Sequence, residues 1–161
     1  MIRELQESDI NRVAEIWLDT NIKTHCFIPA EYWKGNFDLV KEMLLQAEVY
    51  VYENEKKVQG FIGLTDEHIE GIFVSDKIQS QGIGESLLNF VKDRKEILSL
   101  NVYQTNTRAI YFYQREGFEI QSEGLDEATD EKITLWFGNQ NRIIADLWQQ
   151  PVACFCRCES L

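Results

Sequence analysis

The stretch HIEGIFVSDKIQSQGIGESLL, residues 68–88, decides the fold of the chain. It opens with an apolar, β-branched run that predicts a strand, and this run breaks at Ser75-Asp76. A loop with Gly82 and Gly84 follows, and apolar residues then recur at helical spacing. A strand, a turn and a helix in this order present backbone N–H groups and the positive end of a helix dipole. They therefore predict a phosphate-binding turn.

Two common nucleotide-binding motifs do not fit this turn. A P-loop needs a lysine and a hydroxyl residue after its last glycine, but Gly84 is followed by Glu85 and Ser86. The dinucleotide fingerprint needs a third glycine where Leu87 stands. The turn therefore indicates a phosphate-containing ligand of another class.

The loop resembles the acetyl-CoA loop of the GNAT N-acetyltransferases, whose signature is Arg/Gln-x-x-Gly-x-Gly/Ala after a strand with an aliphatic end. Here the strand ends at Val74 and the loop reads Gln79-Ser80-Gln81-Gly82-Ile83-Gly84, with Gln and Ser where Arg and Gly are commoner. A second block is similar to the other half of the family's cofactor site and reads Asn106-x-x-Ala109-x-x-Phe112-Tyr113-x-x-x-Gly117-Phe118. The resemblance covers residues 1–138 as one domain and leaves 139–161 as a C-terminal extension of unknown role.

The resemblance implies an α/β protein with a mixed α+β sheet of about seven strands and four or so helices. It also implies transfer of an acetyl group from acetyl-CoA, by direct attack in a ternary complex, to a primary amine. That amine is a small molecule, a peptide N-terminus or a protein lysine, and no metal is needed. The alternative is a catalytically idle acyl-CoA-binding or interaction module with the same fold.

Four groups of residues would hold and use the cofactor if the resemblance is carried over. Main-chain groups of Phe73 and Val74 would pair with the pantetheine arm, and the backbone amides around the loop would hold the pyrophosphate. The side chains that flank the arm are those of Asn106, Ala109 and Phe112. Tyr113 is the candidate acid, because a phenol with a pKa of about 10 can protonate a leaving thiolate.

Glu70 is the candidate base, acting directly or through a water, and His68 is the runner-up. Strict alternation along the strand predicts that residues 68, 70, 72 and 74 share one face. The need for a base depends on the acceptor. Neutralising a lysine amine at pH 7 costs about 4.6 kcal/mol, whereas an α-amine costs about 1 kcal/mol.

Residues 21–35 have no clean period and are rich in aromatic side chains. By resemblance this segment predicts a loop that binds the acceptor through His25, Phe27, Tyr32 and Trp33, with His68 from the strand. A covalent route through Cys26 beside His25 is the less favoured alternative, since neighbours in sequence do not make a catalytic pair.

Composition restricts the partners. The formal net charge of −11 argues against nucleic acid or an anionic membrane and favours a cationic acceptor. The charged N-terminus and the absence of a run of about 18 apolar residues predict a cytoplasmic protein. Its oligomeric state, a monomer or a homodimer, does not follow from the sequence. Three of the four cysteines lie in the tail, where Cys154, Cys156 and Cys158 could bind a soft metal. A helix over 142–148 that packs on the domain or on a second subunit is the favoured use of the tail.

The remaining elements follow from local patterns. Ser8 is expected to cap the first helix, and a second helix over 37–47 should bury Leu39, Val40, Met43 and Leu44. The other predicted strands are 2–6, 49–53, 58–64, 97–103, 118–122 and 132–137, with a helix over 107–116 and an acidic turn over 124–131.

Overall fold

A computed structural model describes residues 1–139 of the 161-residue chain. In this part of the chain seven strands form one mixed sheet with the order β1-β2-β3-β4-β5-β7-β6. The strands are β1 Ile2–Glu4, β2 Glu48–Asn54, β3 Lys57–Thr65, β4 His68–Val74, β5 Ile97–Tyr103, β6 Glu119–Asp126 and β7 Glu131–Asn139. Only β4 and β5 pair in parallel. The predicted mixed sheet is confirmed.

Five α-helices in residues 1–139 cover the two faces of the sheet. They are α1 Ile10–Thr24, α2 Ala30–Gly35, α3 Phe37–Leu44, α4 Ile83–Lys92 and α5 Thr107–Arg115. Apolar residues of α1, α2 and α3 form one core with residues of β2, β3 and β4, such as Val51, Phe61 and Phe73. Residues of α4 and α5 form a second core with β3 and β5 on the opposite face, including Ile62 and Leu100.

The periodic helices are confirmed, with corrections at their ends. The apolar residues that recur at helical spacing after the loop are Ile83, Leu87, Leu88 and Val91, and all four are buried on α4. Leu39 of α3, in contrast, is 40% exposed, so its assignment to the inner stripe is wrong. Ser8 does not cap α1, because residues 7–9 form a 3-10 turn in which the Asp9 carboxylate accepts hydrogen bonds from the Gln6 N–H and from Arg3.

The aperiodic segment 21–35 is mostly helical, so its prediction as a loop is wrong. α1 runs on to Thr24, and α2 begins directly after Pro29. The apolar period is lost because the chain changes direction between two short helices, and each helix then presents its own stripe to the core.

The C-terminal hairpin is longer than predicted. β6 and β7 pair almost to their ends, and only residues 127–130 form the turn. β7 lies between β5 and β6, so its backbone groups are hydrogen-bonded on both sides whatever the local charge. The predicted tail helix and the cysteine cluster lie outside the described residues.

A β-bulge changes the expected alternation along β4. Gly63 of β3 pairs with Gly71, but its neighbour Leu64 pairs with Ile69, which leaves Glu70 as the extra residue. Ile69 therefore packs in the same core as Ile72. The prediction that residues 68, 70, 72 and 74 share one face is wrong. His68 lies on the other face from Ile72, where it bonds Ser99.

The sheet opens between β4 and β5, and this opening positions the site. The two strands pair only at His68–Ser99 and Ile69–Leu100, and then diverge. β3 stays paired with β4 as far as Val74, and β7 stays paired with β5 as far as Tyr103. Residues 71–74 of β4 and residues 101–103 of β5 are therefore not paired with each other, and the opening between these two stretches is called the cleft below. No helix among residues 1–139 is long and apolar enough to cross a membrane.

Candidate active site

The predicted phosphate loop lies at the end of the β4 side of the cleft. Gly82 caps α4 with φ +77°, a left-handed conformation that costs glycine little, and Ser80 is also left-handed at φ +65°. The first N–H groups of α4 have no partner within the helix and point into the loop. Gly84 lies between Ile72 of β4 and Phe112 of α5, and a Cβ built on it would be 3.8 Å and 3.9 Å from their side chains. The loop therefore faces both predicted halves of the cofactor site.

Side-chain hydrogen bonds tie this loop to both of its neighbours. Gln79 Nε2 donates to the Val74 carbonyl at 3.0 Å, at the end of β4. Arg108 of α5 donates from Nη1 to Gln79 Oε1 at 2.9 Å and from Nη2 to Ser80 Oγ at 3.3 Å. The sequence predictions missed Arg108, although it lies between Asn106 and Ala109 of the second block.

The second block forms the start and one face of α5. Asn106 caps the helix, with Oδ1 accepting from the Ala109 N–H at 3.1 Å. Tyr113 is buried two turns further on and packs edge-on against Phe112 and Phe118, at ring-centroid distances of 5.1 Å and 5.5 Å. Tyr111, by contrast, is 72% exposed. Tyr113 is therefore the tyrosine that faces the sheet.

His25 links this cap to the α1 side of the molecule. Its Nε2 lies 3.3 Å from Asn106 Nδ2, and its Nδ1 lies 2.9 Å from Asn21 Oδ1. Because Asn21 Nδ2 donates to the Trp17 carbonyl, Asn21 Oδ1 is the acceptor and His25 Nδ1 carries the proton. Nε2 then accepts from Asn106. Burial lowers the pKa of His25 to about 4, so the ring is neutral at pH 7.

The ring of His25 is enclosed by aromatic side chains. Tyr103 lies 5.0 Å away, and Phe27 and Trp33 each lie 5.6 Å away. Both ring nitrogens are used by Asn21 and Asn106, so His25 does not pair with the exposed Cys26. The geometry does not support a Cys26–His25 nucleophile.

A buried carboxylate lies on the same side, and the sequence predictions missed it. Tyr103 donates its hydroxyl to Asp126 Oδ2 at 2.7 Å, and the Ala128 N–H donates to Oδ1 at 3.1 Å. Asp126 ends β6 within an acidic stretch, which by pattern alone is typical of exposed, solvated charge. Its burial could not be anticipated, because the pairing of β6 with β7 and of β7 with β5 brings it to Tyr103.

Comparison with known proteins gives the family. Residues 46–120 match the family described as an acetyltransferase (GNAT) domain. The peptidyl-lysine N-acetyltransferase YiaC of Escherichia coli K12 is 38% identical over 122 residues, which cover 74% of this chain and 84% of that protein. The chain belongs to the GNAT acetyltransferase family. GNAT enzymes transfer an acetyl group from acetyl-CoA to an amine, and this is the reaction class of the chain.

Solved structures of GNAT proteins agree with the fold. The solution structure of apo YjaB from Escherichia coli has a TM-score of 0.76 and 26% identity, covering 85% of this chain and 95% of that one. The PaiA N-acetyltransferase of Thermoplasma acidophilum, solved in complex with coenzyme A, has a TM-score of 0.70. At 19% identity over 84% of this chain and 96% of that one, it shows the shared fold alone.

The predicted GNAT acceptor residues divide into half-buried and buried ones. Phe27 and Tyr32 are half-buried and keep surface that a ligand can contact. Trp33 is completely buried, packed on Trp17 and Tyr32 at centroid distances of 5.8 Å and 4.9 Å. Its prediction as an acceptor-binding residue is therefore corrected to a core role. The same correction applies to His68, which is buried with Nδ1 on Ser99 Oγ at 2.8 Å.

The two candidate bases lie at the closed end of the cleft. Burial lowers the pKa of His68 to about 4, which makes its imidazole a weak base. Glu70 is 3% exposed at the β4 bulge.

Phe73 stacks on Phe61 at 4.9 Å, with its ring over Gly71. Beyond Ile69 no described strand pairs with the side of β4 that faces the cleft, so main-chain groups there can bind a ligand. Among residues 1–139 no group of three side chains could hold a metal.

Proposed function

We propose that the chain acetylates the ε-amine of lysine residues in a peptide or protein. The observation that carries this proposal is the cleft between β4 and β5, flanked by the loop 79–84 and by the capped end of α5. The names of two relatives support the acceptor class. YiaC is a peptidyl-lysine N-acetyltransferase, and so is YjaB of Escherichia coli K12, which is 29% identical over 120 residues.

The described residues fit acetyl-CoA. The unpaired edge of β4 at Phe73 and Val74 would hold the pantetheine arm in the manner of an added strand. The N–H groups of residues 79–84 would hold the pyrophosphate, since a helix N-terminus with left-handed residues before it is suited to anions. Asn106, Ala109 and Phe112 would contact the arm from α5. The bound thioester supplies an activated acetyl group.

The chain's own residues then manage charge and protons. A main-chain N–H of β4 would stabilise the negative charge that develops on the carbonyl oxygen as the amine nitrogen bonds to the carbonyl carbon. Tyr113 would donate its phenolic proton to sulfur as the carbon–sulfur bond breaks. Glu70 is preferred over His68 as the acceptor of the amine proton, through a water because it is buried. Burial lowers the pKa of His68 to about 4, so its imidazole is no stronger a base than an ordinary carboxylate.

The acceptor would approach from the α1 and α2 side. Phe27 and Tyr103 lie 5.7 Å apart there, edge to face, and Asp126 places a carboxylate behind Tyr103. Aromatic rings beside a carboxylate suit the aliphatic stem and the ammonium head of a lysine. The net charge of −11 would favour the approach of a cationic segment to the protein. Small amines and peptide N-termini stay as competing acceptors.

The proposal has an organisational part. Residues 1–138 would form the transferase domain and 139–161 an extension, in a cytoplasmic monomer or homodimer. Deleting the extension should then leave acetyl-CoA binding intact. Loss of binding on deletion would place part of the cofactor site or its support in the tail.

One experiment tests the function. The full chain is titrated with acetyl-CoA, and thiol release is followed in the same samples with matched peptides. One peptide carries a free lysine and a blocked N-terminus, its control carries norleucine instead, and a third has only a free α-amine. Release with the lysine peptide alone supports the proposal. Release with the α-amine peptide alone would replace the acceptor, and binding without any release, including with polyamines, would favour the idle module.

A further inference from the structure

Arg108 connects the two halves of the cofactor site. It lies in the first turn of α5, and its guanidinium reaches Gln79 and Ser80 at the start of the phosphate loop. Gln79 is in turn anchored to β4 by its Nε2 bond to the Val74 carbonyl. Arg108 is therefore held at the loop by a side chain that is itself fixed.

The charge of Arg108 is not neutralised by its surroundings. Both of its partners, the Gln79 amide and the Ser80 hydroxyl, are uncharged. Among the ion pairs of residues 1–139, none involves Arg108. The loop 79–84 contains no lysine or arginine of its own. Arg108 thus brings to this loop an exposed guanidinium that has no carboxylate partner among residues 1–139.

We propose that Arg108 binds the pyrophosphate of acetyl-CoA, supplying from α5 the positive charge that the loop sequence lacks. The inference rests on the proposed function, which places acetyl-CoA in this loop. The planar guanidinium has five N–H donors, and those not used by Gln79 and Ser80 can be given to phosphate oxygens. Gln79 then acts as a positioning residue for Arg108.

A contact between Arg108 and the pyrophosphate would also link the binding of acetyl-CoA to the position of α5. Arg108 lies on the same short helix as the cap Asn106 and the candidate acid Tyr113. A phosphate held by the loop amides and by Arg108 together would fix the start of α5 against the loop. A purely structural tie between α5 and the loop would hold the helix in the same way without requiring a charge.

The test compares Arg108→Gln with a matched control, Arg94→Gln. Arg94 is also exposed, its guanidinium donates to the Phe90 carbonyl at 2.7 Å, and it lies at the opposite end of α4. Both variants change the net charge equally. Isothermal titration of acetyl-CoA at about 50 and about 300 mM salt should show roughly tenfold weaker binding for Arg108→Gln at low salt, and a flatter salt dependence. Arg94→Gln should bind within about twofold of the wild type.

Two further arms separate the explanations. Arg108→Lys keeps the positive charge and should therefore bind acetyl-CoA more tightly than Arg108→Gln. If Arg108 only ties α5 to the loop through its two guanidinium hydrogen bonds, the Lys variant should lose as much affinity as the Gln variant. Dephospho-CoA retains the pyrophosphate. Arg108→Gln should therefore lower the affinity for dephospho-CoA by the same factor as the affinity for CoA. A loss confined to CoA would assign Arg108 to the 3′-phosphate and overturn the proposal.

The remaining outcomes are also decisive. Equal affinities for Arg108→Gln and Arg94→Gln would reject the inference while leaving acetyl-CoA binding by the wild type intact. No binding by the wild type would instead reject the proposed function. Thermal melting without ligand should be the same for both variants, which confirms that the comparison is made between folded proteins.

Discussion

The cofactor side and the acceptor side of the cleft are built in different ways. The cofactor side consists of two short motifs, the loop 79–84 and the capped start of α5 at Asn106. The acceptor side brings together Phe27 after α1, Tyr103 at the end of β5 and Asp126 at the end of β6. Each motif of the cofactor side is local in sequence, whereas the acceptor side exists only after the sheet has formed.

The two sides meet at His25. Its Nε2 accepts from the same Asn106 that caps α5, and its ring packs on Tyr103 and Phe27. A change on the acceptor side can therefore reach the cofactor side through one hydrogen bond. Substitutions on either side of the cleft, or at His25, therefore test whether the two sides act separately or together.

The largest effect is expected from Tyr113→Phe on the cofactor side. Removing the hydroxyl should lower kcat by about 10²- to 10⁴-fold, because the thiolate loses its proton donor. The affinity for acetyl-CoA should stay nearly unchanged, since the ring keeps its packing on Phe112 and Phe118. Steady-state kinetics and calorimetric titration on the same preparation measure both quantities.

Tyr111→Phe is the control for this experiment. Tyr111 lies on the same helix but is exposed, so its hydroxyl should have no effect on turnover. If chemistry limits the rate and Tyr113→Phe turns over like the wild type, Tyr113 has no part in the reaction.

The link at His25 should make stability depend on pH. Burial lowers the pKa of His25 and of His68 to about 4 in the folded state, below the ordinary histidine value of 6.5. The unfolded state therefore binds protons first, and the free energy of unfolding should fall as pH drops from about 6.5 toward about 4. At about pH 5.5 the loss is roughly 1.4 kcal/mol per histidine relative to about pH 7.5.

Protonation also creates a conflict of donors. His25 Nε2 would become a donor facing Asn106 Nδ2, while Asn106 Oδ1 is already used by the Ala109 N–H. Urea unfolding of the wild type, His25→Gln and His68→Gln at the two pH values tests this. Each variant should lose about half of the pH sensitivity, and an unchanged slope in both would show that the histidines do not titrate between the two pH values.

Local chemistry explains how much of the site could be predicted from the sequence. The loop 79–84 was recognisable because glycine is needed where φ is positive, as at Gly82, and because α4 follows directly. Asn106 and Tyr113 were recognisable as members of the second block, but the capping hydrogen bond of Asn106 is seen only in the structure. Arg108 was within the second block, but nothing in that block says that its side chain crosses to Gln79.

Long-range pairing explains what could not be predicted. The position of Glu70 depends on a bulge that is visible only in the register between β3 and β4. Trp33 was expected at the acceptor site because its segment had no period, but two short helices turn it into the core. The partnership of Tyr103 and Asp126 requires β7 to insert between β5 and β6.

A smaller effect is expected from Gly82→Ala, which tests the cofactor loop without removing a side chain. Gly82 has φ +77° and open space where a Cβ would stand, so the cost is conformational, about 1 to 2 kcal/mol. Relaxation of this strain should move the loop amides and weaken acetyl-CoA binding by roughly tenfold. The measurement is the dissociation constant from calorimetric titration.

Gly117→Ala is the matched control for strain. Gly117 has φ +86° and equally open space, but it follows α5 at the end away from the loop. It should lower the melting temperature like Gly82→Ala and leave the affinity for acetyl-CoA unchanged. Equal losses of affinity in both variants would mean that general destabilisation, and not the loop geometry, weakens binding.

The smallest effect is expected from Asp126→Asn on the acceptor side. The substitution keeps the volume and an oxygen that can accept from the Tyr103 hydroxyl, but it removes the negative charge and leaves the amide nitrogen facing the Ala128 N–H donor. If this charge attracts the ammonium of the acceptor, KM for a lysine peptide should rise about three- to tenfold, with KM for acetyl-CoA unchanged.

Tyr103→Phe is the complementary change, because it keeps the charge and removes the hydrogen bond. A rise in the acceptor KM for Tyr103→Phe alone would show that the position of the hairpin matters and the charge does not. A rise in both KM values for Asp126→Asn would show that the acceptor side controls the cofactor side through the His25–Asn106 contact, and the two halves of the cleft would then have to be treated as one site.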